Sequence, residues 1–237
     1  MAAGVTRPAG ETIKAADGGR LGGMAPELLS EAERRALVEA VAAAERQSGA
    51  EIVPVLSERS DRYAEAEWAA TAIGALVGGL ATLVAPRLSG WRATPVWLDA
   101  TLVAAFAFAG ALLARVPALR RALAGGSRLD ARVDAAANLA FVEQQVFRTR
   151  DRTGILLFVS RFERQVRVLA DEAVYQAVER REWERLAAEV AAGMGRRPPG
   201  EALLAAVRRT GELVTQYGPV RRDDDVNELP DEPVTRP

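Results

Sequence analysis

The chain has 237 residues, 49% of them hydrophobic, with 31 basic and 32 acidic side chains and a formal charge of -1. That balance gives no global field to favour nucleic acid, and nucleic-acid binding drops out of the readings. Cysteine and histidine are both absent, which excludes disulfides, thiolate or imidazole metal ligands, a catalytic Cys and any triad with His as base, leaving site chemistry to carboxylates, hydroxyls, Lys and Arg.

Residues 1–26 carry Gly, Ala and charges without the continuous apolar stretch of a secretory signal, and read as a disordered leader. Ser30-Glu31-Ala32-Glu33 fits a capping box and opens a helix with apolar positions Leu37, Val38, Val41 and Ala44, which should stop near Ser48-Gly49. Ala50 to Leu56 reads as a strand, but Pro54 cannot donate to a ladder and predicts an edge position or a bulge. From Arg59 to Glu67, charges alternate with Tyr63 and small residues as a helical lead into an apolar stretch.

Two apolar runs come next, Trp68 to Ala85 and Val96 to Ala114. The first has no charge in 18 positions and as a helix spans roughly 27 Å, close to the hydrocarbon thickness of a bilayer. The second has 19 residues and one charge, Asp99, near its start, where a carboxylate reaches the headgroups rather than the bilayer centre. Trp68, Trp91 and Trp97 flank the runs, where indole rings favour the membrane interface. Neither run shows a polar stripe at helical spacing, so a transmembrane hairpin over 68–114 is preferred to the core hairpin of a soluble domain. Gly74 and Gly78, with small-residue pairs Ala107–Ala111 and Gly110–Ala114, have the spacing that lets helix backbones approach closely. Arginines before the hairpin (Arg46, Arg59, Arg62) and after it (Arg115, Arg120, Arg121, Arg128, Arg132) outnumber Arg87 and Arg92 between the helices. Both termini are therefore expected in the cytoplasm, with the lipid bilayer of the inner, cytoplasmic membrane as one partner and a membrane protein as a candidate second. An even number of spans puts residues 27–67 and 115–217 on one side, where they form two parts of one domain.

After the exit at Val116-Pro117 and the Gly125-Gly126 break, Ser127 to about Phe147 carries an apolar face near helical spacing. Asp151-Arg152-Thr153-Gly154 makes a turn, Ile155 to Ser160 has the length of a buried strand, and Gln165 to Ala170 alternates as a half-exposed one, so the pair reads as a β-hairpin. Short helices follow around Val174 to Glu179 and from Glu182 to Ala192, then a longer one after Pro198-Pro199-Gly200-Glu201. The tail, 218–237, is acidic and proline-rich and reads as flexible, extended or disordered.

Gly49-Ala50-Glu51-Ile52-Val53, Phe141, Thr149, the block Asp151 to Ser160, Glu163-Arg164, Val166, Val168 to Asp171 and Trp183 together resemble the TPM-domain family, and Asn227 to Asp231 is similar to an ending of its bacterial membrane members. The resemblance covers roughly Leu28 to Leu56 and Arg128 to Tyr217. It implies an α/β fold, a small sheet sandwiched by helices, here interrupted by the two-helix hairpin. Relatives in that family are associated with calcium binding, acid phosphatase activity, photosystem repair or receptor modulation, so the resemblance names no single activity.

Three carboxylates are candidates for a hard cation such as calcium or magnesium: Glu51 entering the first strand, Asp151 in the turn before the second, and Asp171 closing the third. Each has a plainer alternative: a solvated strand end for Glu51, a turn acceptor for Asp151, a helix cap for Asp171. Asp223-Asp224-Asp225 lacks the ligand alternation of an EF-hand loop, and no phosphate loop, nucleophile elbow or zinc signature is present. Arg161 and Arg164 at the hairpin tip suit lipid headgroups or a phosphorylated ligand, or simply a solvated turn. The function expected is therefore an interaction or regulatory module at the membrane, with a carboxylate-dependent phosphatase or calcium-binding domain as the alternative.

Overall fold

A computed structural model describes residues 28–89, 95–194 and 198–236. The expected leader, 1–26, and the inter-helix residues Trp91 and Arg92 lie outside the described residues. Helix α1, Glu31–Ser48, begins with the full capping box: Ser30 accepts from the Glu33 backbone and the Glu33 side chain accepts from Ser30. It ends at Gly49, whose φ of 61° is left-handed and whose α-hydrogen face lies against Arg221, a position where a side chain would be both strained and obstructed.

Among the described residues, four strands follow the order β3-β2-β1-β4. They are β1 Glu51–Ser57, β2 Gly154–Ser160, β3 Gln165–Ala170 and β4 Val234–Arg236. β1 pairs with β2 in parallel from Glu51↔Gly154 to Ser57↔Ser160, and β2 pairs with β3 as the expected antiparallel hairpin. Side-chain alternation sends Ile52, Leu56, Ile155, Leu157 and Val159 to one face and Val53, Val55, Leu156 and Phe158 to the other. The first face packs on α1, α7 (Arg180–Met194) and α8 (Pro199–Tyr217) through Leu37, Val41, Leu186, Leu203 and Val207. The second is covered by α5, Gly126–Glu143, through Val133, Ala137 and Ala140, with Val146 of a short 3-10 turn. The sheet thus lies between two helical layers, and β2 is buried throughout.

Pro54 is accommodated by direction and register together. Glu51 N–H faces the β2 side, bonding to the Thr153 carbonyl, while Ile52 N–H turns the other way to the Glu45 carboxylate. Strand alternation therefore points the Pro54 nitrogen away from β2, and β4 joins that edge only from Val55. The tail read as flexible is what supplies β4: Leu229 and Pro233 are buried, and Arg236 forms an ion pair with Glu143 of α5. Its prolines and charges misled because they describe a chain without regular structure, and such a chain can still be held by contacts from elsewhere.

Among the described residues between β1 and α5 lie three helices: α2 Ala64–Ser89, α3 Val96–Leu113 and α4 Pro117–Ala124. The lead from Ala64 is continuous with the first apolar run. Only 11% and 6% of the most apolar windows of α2 and α3 are buried, so they are not a core hairpin of the α/β unit. Both are long and apolar enough to cross a membrane by length and composition. α4 went unrecognised in the sequence as a helix. Pro117 opens it and Gly125 ends it. α6, Glu172–Ala177, starts at Asp171, whose side chain accepts from Glu172 N–H.

Small residues set the α2–α3 contact. Gly74 lies against the Phe106 carbonyl, Gly110 against the Ala70 carbonyl, and a Cβ on Gly78 would come 2.9 Å from Val103 Cα, whereas Gly79 faces open space. Gly74→Leu and Gly110→Leu are each expected to cost about 1–3 kcal/mol by overpacking. Gly79→Ala is expected to be neutral or slightly stabilising. Thermal unfolding of the detergent-solubilised chain checks this, and equal effects at Gly74 and Gly79 would contradict the packing.

Candidate functional site

Parallel pairing brings the C-terminal ends of β1 and β2 side by side, the end of a parallel sheet where ligands commonly bind. Two backbone bonds tie the exits together, Arg161 N–H to the Ser57 carbonyl and Phe162 N–H to the Glu58 carbonyl, both 2.9 Å. From β1 the chain reaches α2 through Tyr63, a buried residue at φ 50°. That conformation is uncommon for a bulky residue, and a dense network holds it. Tyr63 Oη donates to Glu163 Oε1 at 2.6 Å, Ser60 N–H donates to the same oxygen at 2.8 Å, and the Ser160 hydroxyl donates to Glu163 Oε2. Burial, reinforced by the hydrogen bond to Glu163, pushes the Tyr63 phenol above its ordinary range, so it stays a neutral donor.

The Tyr63 ring stacks on Phe162 with centroids 5.3 Å apart, and this pair borders a basin of about 530 Å³. Six arginines line it: Arg59, Arg115, Arg120, Arg121, Arg161 and Arg164, together with Pro117 and a single carboxylate, Glu58. Arg121 is committed to the protein, donating to the Phe162 carbonyl at 3.0 Å with its guanidinium 5.7 Å from the Phe162 ring centre. Arg120 pairs with Glu67, yet its Nε is buried without an acceptor. Arg59, Arg115, Arg161 and Arg164 are exposed and make no ion pair among the described residues. α4 opens at the rim, and its first turn has no side-chain cap, which adds the partial positive charge of a helix N-terminus. Such a concavity can hold an anionic group against an aromatic flank.

The opposite end of the sheet carries the expected carboxylates, and each is engaged by the fold. Glu51 is buried and accepts from Leu229 N–H at 3.1 Å. Asp171 is buried and pairs with Arg152 at 2.9 Å while capping α6, leaving its second oxygen without a partner. Asp151 is half exposed and faces Arg150 and Arg222. Register sets Gly154 between Glu51 and Asp171 across the sheet, and among the described residues no group of three or more acidic side chains is placed to hold a metal ion.

Sequence reasoning missed the basin as a unit. Arg59, Arg115, Arg120 and Arg121 served only as topology markers, and Arg161 and Arg164 were weighed apart from them, as a hairpin tip suited to lipid headgroups or a phosphorylated ligand or as a solvated turn. The available signal was that basic residues flank the hairpin and also occupy the turn after β2, which parallel strands would bring together. Glu45 was missed as well. It is buried in α1 and accepts from Ile52 N–H at 2.9 Å.

No protein-family model matches the chain, and no curated protein matches it. The fold is similar to the NMR structure of the BA42 protein from the psychrophilic bacterium Bizionia argentinensis, with a TM-score of 0.53 and 15% identity over 89% of this chain and 97% of that one. Identity that low makes the likeness one of fold alone.

Burial pushes the Glu45 carboxyl from 4.5 up to about 8, against the Ile52 hydrogen bond and with help from neighbouring Glu51, Asp231 and Asp225. Burial also raises Glu51. A raised carboxyl pKa means the folded state binds more protons than the unfolded one, so stability is expected to fall as pH rises from about 4.5 to about 8. Glu45→Gln keeps an acceptor for Ile52 and should flatten most of that slope, gaining up to a few kcal/mol at the alkaline end. Denaturant midpoints at the two ends of the window check it, and a wild-type stability that rises with pH would contradict it.

Proposed function

We propose that the chain is a membrane-anchored, TPM-like α/β module, held in the cytoplasmic membrane by the α2–α3 hairpin and acting on the cytoplasmic face as an interaction or regulatory module. The observation that carries this reading is the exposure of two apolar helices inserted between strands that pair along their whole length. Lipid supplies the missing burial for their side chains, as a bilayer does for helices that are apolar on every face. Trp68 and Trp97, 75% and 69% exposed near the helix ends, suit the headgroup region.

The TPM-like part of the reading is supported by where its residues fall. Glu51 to Val53 and Gly154 to Leu156, from the two blocks that carry the resemblance, are partners in the β1–β2 ladder. The phosphatase or calcium-binding alternative has less behind it, because Glu51 and Asp171 are occupied by backbone N–H groups and Asp151 by arginines. The orientation rests on the arginine asymmetry across the hairpin.

Single cysteines in this cysteine-free chain test anchoring and orientation together. Gln47, Gln176 and Leu88 are exposed, and on intact cells an impermeant maleimide should label Leu88→Cys alone. Labelling of Gln47→Cys and Gln176→Cys with Leu88→Cys protected would reverse the orientation. Labelling of only one of the first two would break the single-domain arrangement.

A further inference from the structure

The arginine basin stands within one helical turn of both apolar helices. Tyr63 immediately precedes α2, whose uninterrupted apolar stretch begins at Trp68, and Arg115 follows the last residue of α3 by two positions. If the hairpin crosses the bilayer, the basin opens at the depth of the headgroups, since a turn of helix is about 5.4 Å long. The groups of fixed chemistry at that depth are phosphates. Four arginines with no ion pair among the described residues line one concavity together with Arg120, whose buried Nε has no acceptor, and the uncapped start of α4 at Pro117 adds partial positive charge to the rim.

We propose that this basin binds the phosphate of an anionic phospholipid from the leaflet around the hairpin. Guanidinium forks match the paired oxygens of a phosphodiester, and they hold it with charge-assisted bonds that a carboxylate-poor wall does not contest. The Tyr63–Phe162 stack provides an apolar flank for the glycerol carbons beside the phosphate. Glu163, locked beneath by Ser60, Tyr63 and Ser160, fixes the aromatic pair and the turn that carries Arg161 and Arg164. Bound lipid would join the hairpin, the β1 exit and the β2–β3 turn, so the lipid composition of the leaflet would set how firmly the α/β part is held against the membrane. The assignment rests on the chain being anchored in the membrane by its hairpin.

Dihexanoyl phosphatidylglycerol, titrated below its micelle concentration into the full chain in a neutral detergent, tests the site. Binding should saturate. It should weaken about tenfold or more in Arg161→Ala/Arg164→Asn, with Asn chosen because position 164 has φ 56°. Arg180→Ala/Arg181→Ala, an equal loss of charge on α7, should leave binding unchanged. Equal weakening in both variants, or no binding, would overturn the proposal. Competition by inorganic phosphate at the same concentration would overturn the lipid assignment in favour of a free phosphate ligand. Flotation of the wild-type chain with neutral phosphatidylcholine vesicles after carbonate washing reports on the anchor separately, so loss of flotation with retained basin binding would indict the membrane reading rather than the site.

Discussion

Parallel pairing of β1 with β2 is the constraint on which the rest of the chain depends. Seven consecutive residues of β1 lie in register with seven of β2, and a parallel pair needs its connection to travel back the length of the strands. α5 makes that return, crossing the face of Val53, Val55, Leu156 and Phe158. The two apolar helices are inserted before α5, at the turnaround where β1 has ended and the crossover has not begun. If these helices cross a membrane, a hairpin is the form such an insertion can take, because one span would leave β2 on the other side from β1. The glycine contacts that let α2 and α3 pack backbone to backbone therefore do more than hold two helices together. They keep the two mouths of the insertion close enough for the sheet to form.

The same sheet explains how the chain uses its buried acids. Glu45, Glu51, Glu163 and Asp171 are all buried, and each accepts a backbone N–H: from Ile52, Leu229, Ser60 and Glu172 respectively. Each of those donors sits where a strand edge, a loop or a helix start leaves an N–H without a regular partner, and an unmet buried donor costs about 1–3 kcal/mol. Glu45 shows the compromise. Near neutrality the carboxyl is largely protonated because burial outweighs its hydrogen bond, and it still supplies an acceptor. In this fold these four buried carboxyl groups complete the hydrogen bonding of the backbone.

Much of the fold was legible because its signals are local. Ser30 and Glu33 announce a capping box, Gly49 a left-handed stop, Ile155 to Val159 a strand buried on both faces, and two uncharged runs announce the apolar helices. Pro54 predicted an edge position or a bulge, but β1 lies inside the sheet between β2 and β4, and the proline is tolerated because its nitrogen, like Ile52 N–H, turns away from β2 before β4 joins at Val55. Illegible parts depend on distant partners. β4 is three residues near the end of a charged, proline-rich tail, and nothing nearby in sequence says that Val55 awaits Val234. α4 was hidden because eight residues between a proline and a glycine give too short a window for periodicity to show. The surroundings of the candidate acids were hidden for a related reason: Glu51, Asp151 and Asp171 were weighed one by one by type, while their contacts with Leu229, Arg222 and Arg152 are a property of the folded chain.

The arginines carry two arguments at once, and the two reinforce each other. Basic residues flanking an apolar hairpin select an orientation during insertion, and that requires only that they lie on the correct side. It does not require them to converge. Yet Arg59, Arg115, Arg120 and Arg121 gather with Arg161 and Arg164, which belong to a turn nearly fifty residues beyond the hairpin, around a stacked tyrosine and phenylalanine, with Glu58 as the one carboxylate lining the basin and Glu67 paired to Arg120. Bringing like charges together costs free energy unless water, salt or a counter-charge offsets it. A topology signal alone would be served as well by dispersed arginines, each paired with one of the chain's 32 acidic residues. Convergence at the end of the sheet nearest the apolar helices is the part of the pattern that orientation leaves unexplained, and an anion held in the basin accounts for it.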